Sequence, residues 1–258
     1  MRRRWWWLLL LFVLLALGLG LGLGLSGNTD PTDRVTGDKI VKGTDYRYPK
    51  GYRTGHYGLK TRTRAHRRMM KKVKYAANRW FDLAEELGLR HCATVGSLLG
   101  YTRAGGIIPW DDDWDELLVD ERSKRRMREL YEASPVAART PASPQDWEMR
   151  QLRPGVEIMW SPRVKFYKVV FDGKDNMWID VFVAHPDRDT YNRLVPQLQL
   201  TARAHDVLVE GVARCGLRRV EFDGVRTYVP ADDAVSRAYC DEMYGEGRWS
   251  NTRPPDAA

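Results

Sequence analysis

The chain has 258 residues and a formal charge of +8, with 42 Lys and Arg against 34 Asp and Glu. Its three cysteines (Cys92, Cys215, Cys240) form no CxxC pair, and its five histidines are scattered without metal-ligand spacing. A disulfide framework and a zinc ribbon are thereby excluded, although one disulfide is compatible with a secretory lumen.

The first four residues, Met1-Arg2-Arg3-Arg4, precede an uncharged, mostly apolar run over 5–25. That run has the ~20 residues a helix needs to cross the hydrocarbon core. Trp5, Trp6 and Trp7 stand where an interfacial aromatic belt belongs, with the arginines outside it. The expectation is a signal anchor with residues 1–4 in the cytosol and the rest across the membrane, a type II arrangement in the Golgi or ER. A cleaved signal peptide is the rival, but its apolar core is normally only ~7–15 residues. Residues 26–61 show no sustained apolar period and are read as a stalk or linker. Residues 62–258 then suit one domain with a single sizeable core.

Much of the basic excess lies at 60–74, which includes Arg67-Arg68 and Lys71-Lys72. On a tethered lumenal protein it is a solvated helix face or a surface for anionic headgroups and phosphorylated substrates; no nucleic acid is expected. Val73, Ala77, Trp80, Ala84 and Leu87 recur at helical spacing, and Gly88 is a natural stop. Residues 91–95 form a short predicted strand running straight into Gly96-Ser97 and a short helix ending at Arg103. A strand, a small-residue turn and a helix start leave backbone N–H groups free for phosphate oxygens. Arg103 either holds a substrate phosphate or neutralises an aspartate.

Four acids then fall in five positions: Asp111, Asp112, Asp113 and Asp115. Carboxylates this close raise one another's pKa and repel, so a cation among them is the natural resolution. A hard divalent ion, Mg²⁺ or Mn²⁺, fits oxygen ligands. Asp113 and Asp115 share a face in an extended strand, and Trp114 points the other way, into the core. An EF-hand is excluded, because counting from Asp111 puts Glu116 at the turn glycine and Arg122 at the bidentate acid.

Downstream, residues 120–133 read as a charged surface helix and 135–154, with four prolines, as a loop long enough to be a lid. Residues 156–160, 164–171 and 178–183 read as strands. Asp180 lies between Ile179 and Val181 in an apolar strand, where an acid is costly unless paired or liganded. With Asp113 and Asp115 it completes a three-carboxylate metal site. Residues 191–215 are a predicted helix, 218–222 and 225–229 a hairpin around Asp223-Gly224, and a last helix opens at Pro230.

Gly96-Ser97-Leu98-Leu99-Gly100, Arg103 and Ile108-Pro109-Trp110-Asp111-x-Asp113-x-Asp115 together resemble the signature of the LicD family. Trp178-Ile179-Asp180-Val181-Phe182 resembles its third-carboxylate strand, and Val229-Pro230 with Tyr244-Gly245 its C-terminal segment. The resemblance runs over about 73–249. It departs at Trp114, where the family has Ile or Val, and at Glu116, where it has a small or apolar residue. An acid beside the metal strand there allows altered affinity or a degenerate site.

The resemblance implies an α+β nucleotidyltransferase-like mixed sheet flanked by helices, here preceded by a single transmembrane helix. It also implies a metal-dependent phosphotransferase. Asp113, Asp115 and Asp180 would hold Mg²⁺ or Mn²⁺, Asp111 would orient or deprotonate the acceptor, and Gly96-Ser97, Arg103 and Lys165 would contact substrate. Donor and acceptor would be a nucleotide diphosphate, CDP-linked, and a glycan hydroxyl. Two alternatives stand beside this: a Golgi Asp-x-Asp glycosyltransferase, and a non-catalytic anchored regulator. An oligomer is compatible with any of the three.

Overall fold

The computed structural model describes residues 35–41, 63–109, 111–137, 147–161, 166–172, 178–183 and 196–250, with 35–41 and 196–202 described as backbone. The predicted anchor at 5–25 lies outside these residues. Among the described residues no helix is long and apolar enough to cross a membrane.

Helix α1 (Arg64–Leu87) carries the predicted apolar stripe, with Val73, Ala77, Trp80 and Ala84 buried. Thr63 caps its start, its side chain accepting from the His66 N–H at 3.2 Å. Gly88 ends it in the left-handed region (φ 65°), returning its N–H to Ala84 and Glu85. A six-stranded mixed sheet follows, in the order β2-β3-β7-β6-β5-β4. Its members are β2 (His91–Ala93), β3 (Asp115–Leu118), β4 (Glu148–Arg153), β5 (Val156–Trp160), β6 (Phe166–Phe171) and β7 (Trp178–Val183). Only β3 and β7 run parallel; the other neighbours are antiparallel. Helices α2 (Val95–Ala104) and α3 (Glu121–Ala133) flank β3 in sequence, and α4 (Pro196–Cys215) leads to the hairpin of β8 (Leu217–Phe222) and β9 (Val225–Pro230). Helix α5 (Asp233–Tyr244) packs on α2 and α4.

α1 lies against β9 as well as β6 and β7, so one apolar stripe seals both sheets into a continuous core around Trp80, Trp114, Leu117 and Ile179. Fully burying side chains of this size stabilises by roughly 1.5–3 kcal/mol each.

The mixed α/β architecture agrees with the expected class, and two stretches differ from expectation. Within the predicted stalk, β1 (Val35–Val41) pairs parallel to β8 at the edge of the second sheet. Its sequence, VTGDKIV, has no alternation to announce a strand. Within the predicted loop 135–154, β4 is the edge strand of the main sheet, paired antiparallel to β5 around Gly155. Its sequence EMRQLR has no clear apolar alternation, although Met149 is buried, and its outer side is met by the Ala137 N–H donating to the Met149 carbonyl and the Gln151 N–H donating to the Pro135 carbonyl.

Candidate metal-dependent active site

Strand register builds the site. In the parallel β3–β7 pair Asp115 stands opposite Asp180, and in the antiparallel β6–β7 pair Lys168 stands opposite Asp180. Three adjacent strands thus present Asp115, Asp180 and Lys168 in one row. Asp113, at the entry to β3, points to the same place: Asp113, Asp115 and Asp180 each offer a carboxylate oxygen within 4.8 Å of the others. Asp115 and Asp180 are buried and Asp113 is half-buried. Like charges directly opposite in a sheet are destabilising. Burial raises the Asp115 carboxyl well above its ordinary range, and Asp113, Asp111 and Asp180 push it further, while Lys168 opposes them. Such a donor set, all oxygen and largely buried, fits a divalent hard cation.

Helix α2 supplies the other wall. Ser97 Oγ accepts the Asp115 N–H at 2.9 Å, and the Thr94 N–H donates to the Asp115 carbonyl at 3.1 Å, tying the helix start to β3. Gly96 is there for space. A Cβ on it would sit 1.9 Å from Asp111 Oδ2, so the Asp111 carboxylate occupies the place a side chain would take. Asp111 lies outside the three-carboxylate group. Its carboxyl is raised well above the usual range by burial, then by Asp113, to which it is also hydrogen-bonded; Arg103 pulls the other way. A group so raised is suited to holding a proton. Arg103 lies in the last turn of α2, and its charge acts on Asp111 against the neighbouring carboxylates.

The other face of β3 accounts for the two departures from the family pattern. Trp114 is 1% exposed, its ring 5.7 Å from that of Phe222, and its Nε1 donates to Glu116 at 2.7 Å. Thr227 donates to the same oxygen of Glu116 at 2.9 Å, and His91 Nδ1 meets the other at 2.8 Å. Glu116 is thus a buried acid whose two oxygens are held by Trp114, Thr227 and His91. It does not face the carboxylate cluster, because successive strand residues project to opposite faces.

Lys165 lies outside the described residues. Lys168 holds the position a phosphate- or carboxylate-facing lysine would need, with Nζ 2.6 and 2.9 Å from the two Asp180 oxygens. No local signal in the sequence singles it out, since only the β6–β7 register places it opposite Asp180. Tyr239 of α5 was also missed. Its hydroxyl accepts the Val95 N–H at 2.8 Å and lies 3.0 Å from Thr94 Oγ1. It thereby holds Val95, a non-glycine residue at φ 42°, at the head of α2. No local signal in α5 announces this contact.

No curated protein matches the sequence. The family described as LicD/FKTN/FKRP, nucleotidyltransferase domain, matches residues 88–232. That span contains α2, all three carboxylates and β2 to β9, and covers more than half of the chain. With the carboxylate row and its flanking helix start in place, the chain belongs to the LicD/FKTN/FKRP nucleotidyltransferase-domain family.

Proposed function

We propose that the protein is a divalent-metal-dependent phosphotransferase, moving a phospho-alcohol or phospho-sugar from a nucleotide-diphosphate donor to a glycan hydroxyl. The supporting observation is the convergence of Asp113, Asp115 and Asp180 within 4.8 Å beside the start of α2. These three residues would hold Mg²⁺ or Mn²⁺, which when bound neutralises the diphosphate and its leaving group. Asp111 stands next to them and takes the acceptor proton. The acceptor oxygen then bonds to the phosphorus carrying the alcohol or sugar, the phosphoanhydride P–O bond breaks, and the nucleoside monophosphate leaves. Gly96 admits Asp111, and Ser97 fixes β3 against α2, so both act on the carboxylates as well as lining the approach for phosphate. A CDP-linked donor and a secretory-pathway setting, tethered by residues 5–25, complete the proposal.

A degenerate, purely regulatory site loses its main support, because Trp114 and Glu116 satisfy one another on the far face. The test is incubation of the full chain in detergent with Mn²⁺ and CDP-, UDP- and GDP-linked donors plus glycan acceptors. Release of CMP that is lost in Asp113→Ala and Asp180→Ala is expected. Release of a nucleoside diphosphate instead would make the protein a glycosyltransferase, and no release with any donor would refute transferase activity on this panel.

A further inference from the structure

Lys168 is held more firmly than a surface lysine. Its ammonium lies 4.5 Å from the ring centroid of Trp178, 5.3 Å from that of Phe166 and 5.5 Å from that of Trp147. It also bonds both oxygens of Asp180, and its side chain is only 14% exposed. Three aromatic faces and a carboxylate make a cage that favours a cation and resists its release to solvent. Phe166 stacks on Phe182 at 4.9 Å and meets Trp147 edge-on at 5.3 Å, so the cage is braced by its own ring contacts.

The cage sits at one end of the carboxylate row. Asp113 and Asp115 come from β3 and its entry, Asp180 from β7, and Lys168 from the next strand out, β6. Two-metal phosphoryl-transfer sites place ions ~3.5–4 Å apart, so a second ion beside the first would compete with the Lys168 ammonium for the Asp180 oxygens. Here the Asp180 side is already taken by a fixed positive charge. We propose that the site binds a single divalent ion, centred on Asp113 and Asp115 and sharing Asp180, with the caged Lys168 ammonium as the second positive charge. Asp180 is then a bridge between one ion and one ammonium. The inference rests on the metal-dependent reading above and deepens it, since it states how many ions that site takes.

The test counts Mn²⁺ alone, with no nucleotide, on the full chain in detergent, by equilibrium dialysis and calorimetry. Electron paramagnetic resonance adds a readout independent of turnover, because two ions sharing a carboxylate give an exchange-coupled signal and one ion does not. Wild type should bind one Mn²⁺ per chain with an uncoupled signal. Lys168→Met should bind two with a coupled signal, and Lys168→Arg, which keeps the charge, should stay at one. Two Mn²⁺ per wild-type chain would overturn the proposal and leave the metal-dependent function intact, whatever the variants do. One Mn²⁺ in both wild type and a folded Lys168→Met would overturn it too. No Mn²⁺ bound to wild type would remove the metal reading itself.

Discussion

Replacing Gly96 by alanine separates two effects of opposite sign. Gly96 is the second residue of α2, and alanine is the better helix former by at most ~1 kcal/mol, less in a first turn. Against this, the added Cβ would fall 1.9 Å from Asp111 Oδ2 and 3.0 Å from its Cγ. Ordinary contact begins near 3.4 Å, so the carboxylate or the helix must yield by about 1.5 Å. Forced overpacking of a buried site costs ~1–3 kcal/mol, and the clash therefore wins. Gly96→Ala should lower stability by ~1–2 kcal/mol net. A 1 Å displacement beside the chemistry should also cost ~10²-fold in turnover.

The decisive assay is a double-mutant cycle, with wild type, Gly96→Ala, Asp111→Ala and the pair unfolded by urea under identical conditions. In the Asp111→Ala background the obstacle is gone, so Gly96→Ala should become neutral or stabilising by up to ~1 kcal/mol. A coupling energy below ~0.5 kcal/mol would refute the claim that Gly96 exists to admit Asp111.

Four further outcomes follow from the same structure. Glu116→Ala removes the acceptor of the buried Trp114 indole and breaks the shorter of the bonds made by His91 and by Thr227, and should cost ~3 kcal/mol in chemical denaturation while Mn²⁺ binding survives. Tyr239→Phe removes the acceptor of the Val95 N–H, which should lower stability by ~1–3 kcal/mol and turnover by about tenfold; unchanged turnover in the folded variant would show that α5 does not position α2. Burial lowers His205 to about 3 against ~6.5 in the unfolded chain, so between those values only the unfolded state takes the proton and stability falls as pH falls. Wild type should lose ~2 kcal/mol more than His205→Leu between pH 6.5 and 5, and parallel curves would contradict the assignment. Asp115 has the opposite sign: its folded carboxyl is raised, so metal-free stability is lost as pH rises through that value. Mn²⁺ should therefore raise the melting temperature more at pH 7 than at pH 5, with ~2.7 kcal/mol available at a hundredfold excess over Kd.

What could be read from the chain alone was whatever depends on near neighbours. The stripe of α1 and its stop at Gly88 follow from the 3.6-residue period and a left-handed cap. The opposite faces of Asp113/Asp115 and Trp114/Glu116 follow from the strand period of two. Asp180 was legible because an acid in an apolar strand needs a partner. The strand β1 was not legible because its partner β8 is distant in sequence and its own residues show no apolar alternation, and β4 was not legible because EMRQLR carries too few apolar residues to show the strand period.

Tertiary structure alone decided the pairing. Lys168 meets Asp180 because the β6–β7 register puts it there, and a slip of one residue would send it to the other face. Gly96 faces Asp111 across a loop, and Tyr239 reaches Val95 from a helix 144 residues away in sequence. The sequence by itself determined which residue types and local faces the site would have. Register and helix docking determined which of them touch, since contacts between distant segments are set by the packing of the whole core and not by any local period.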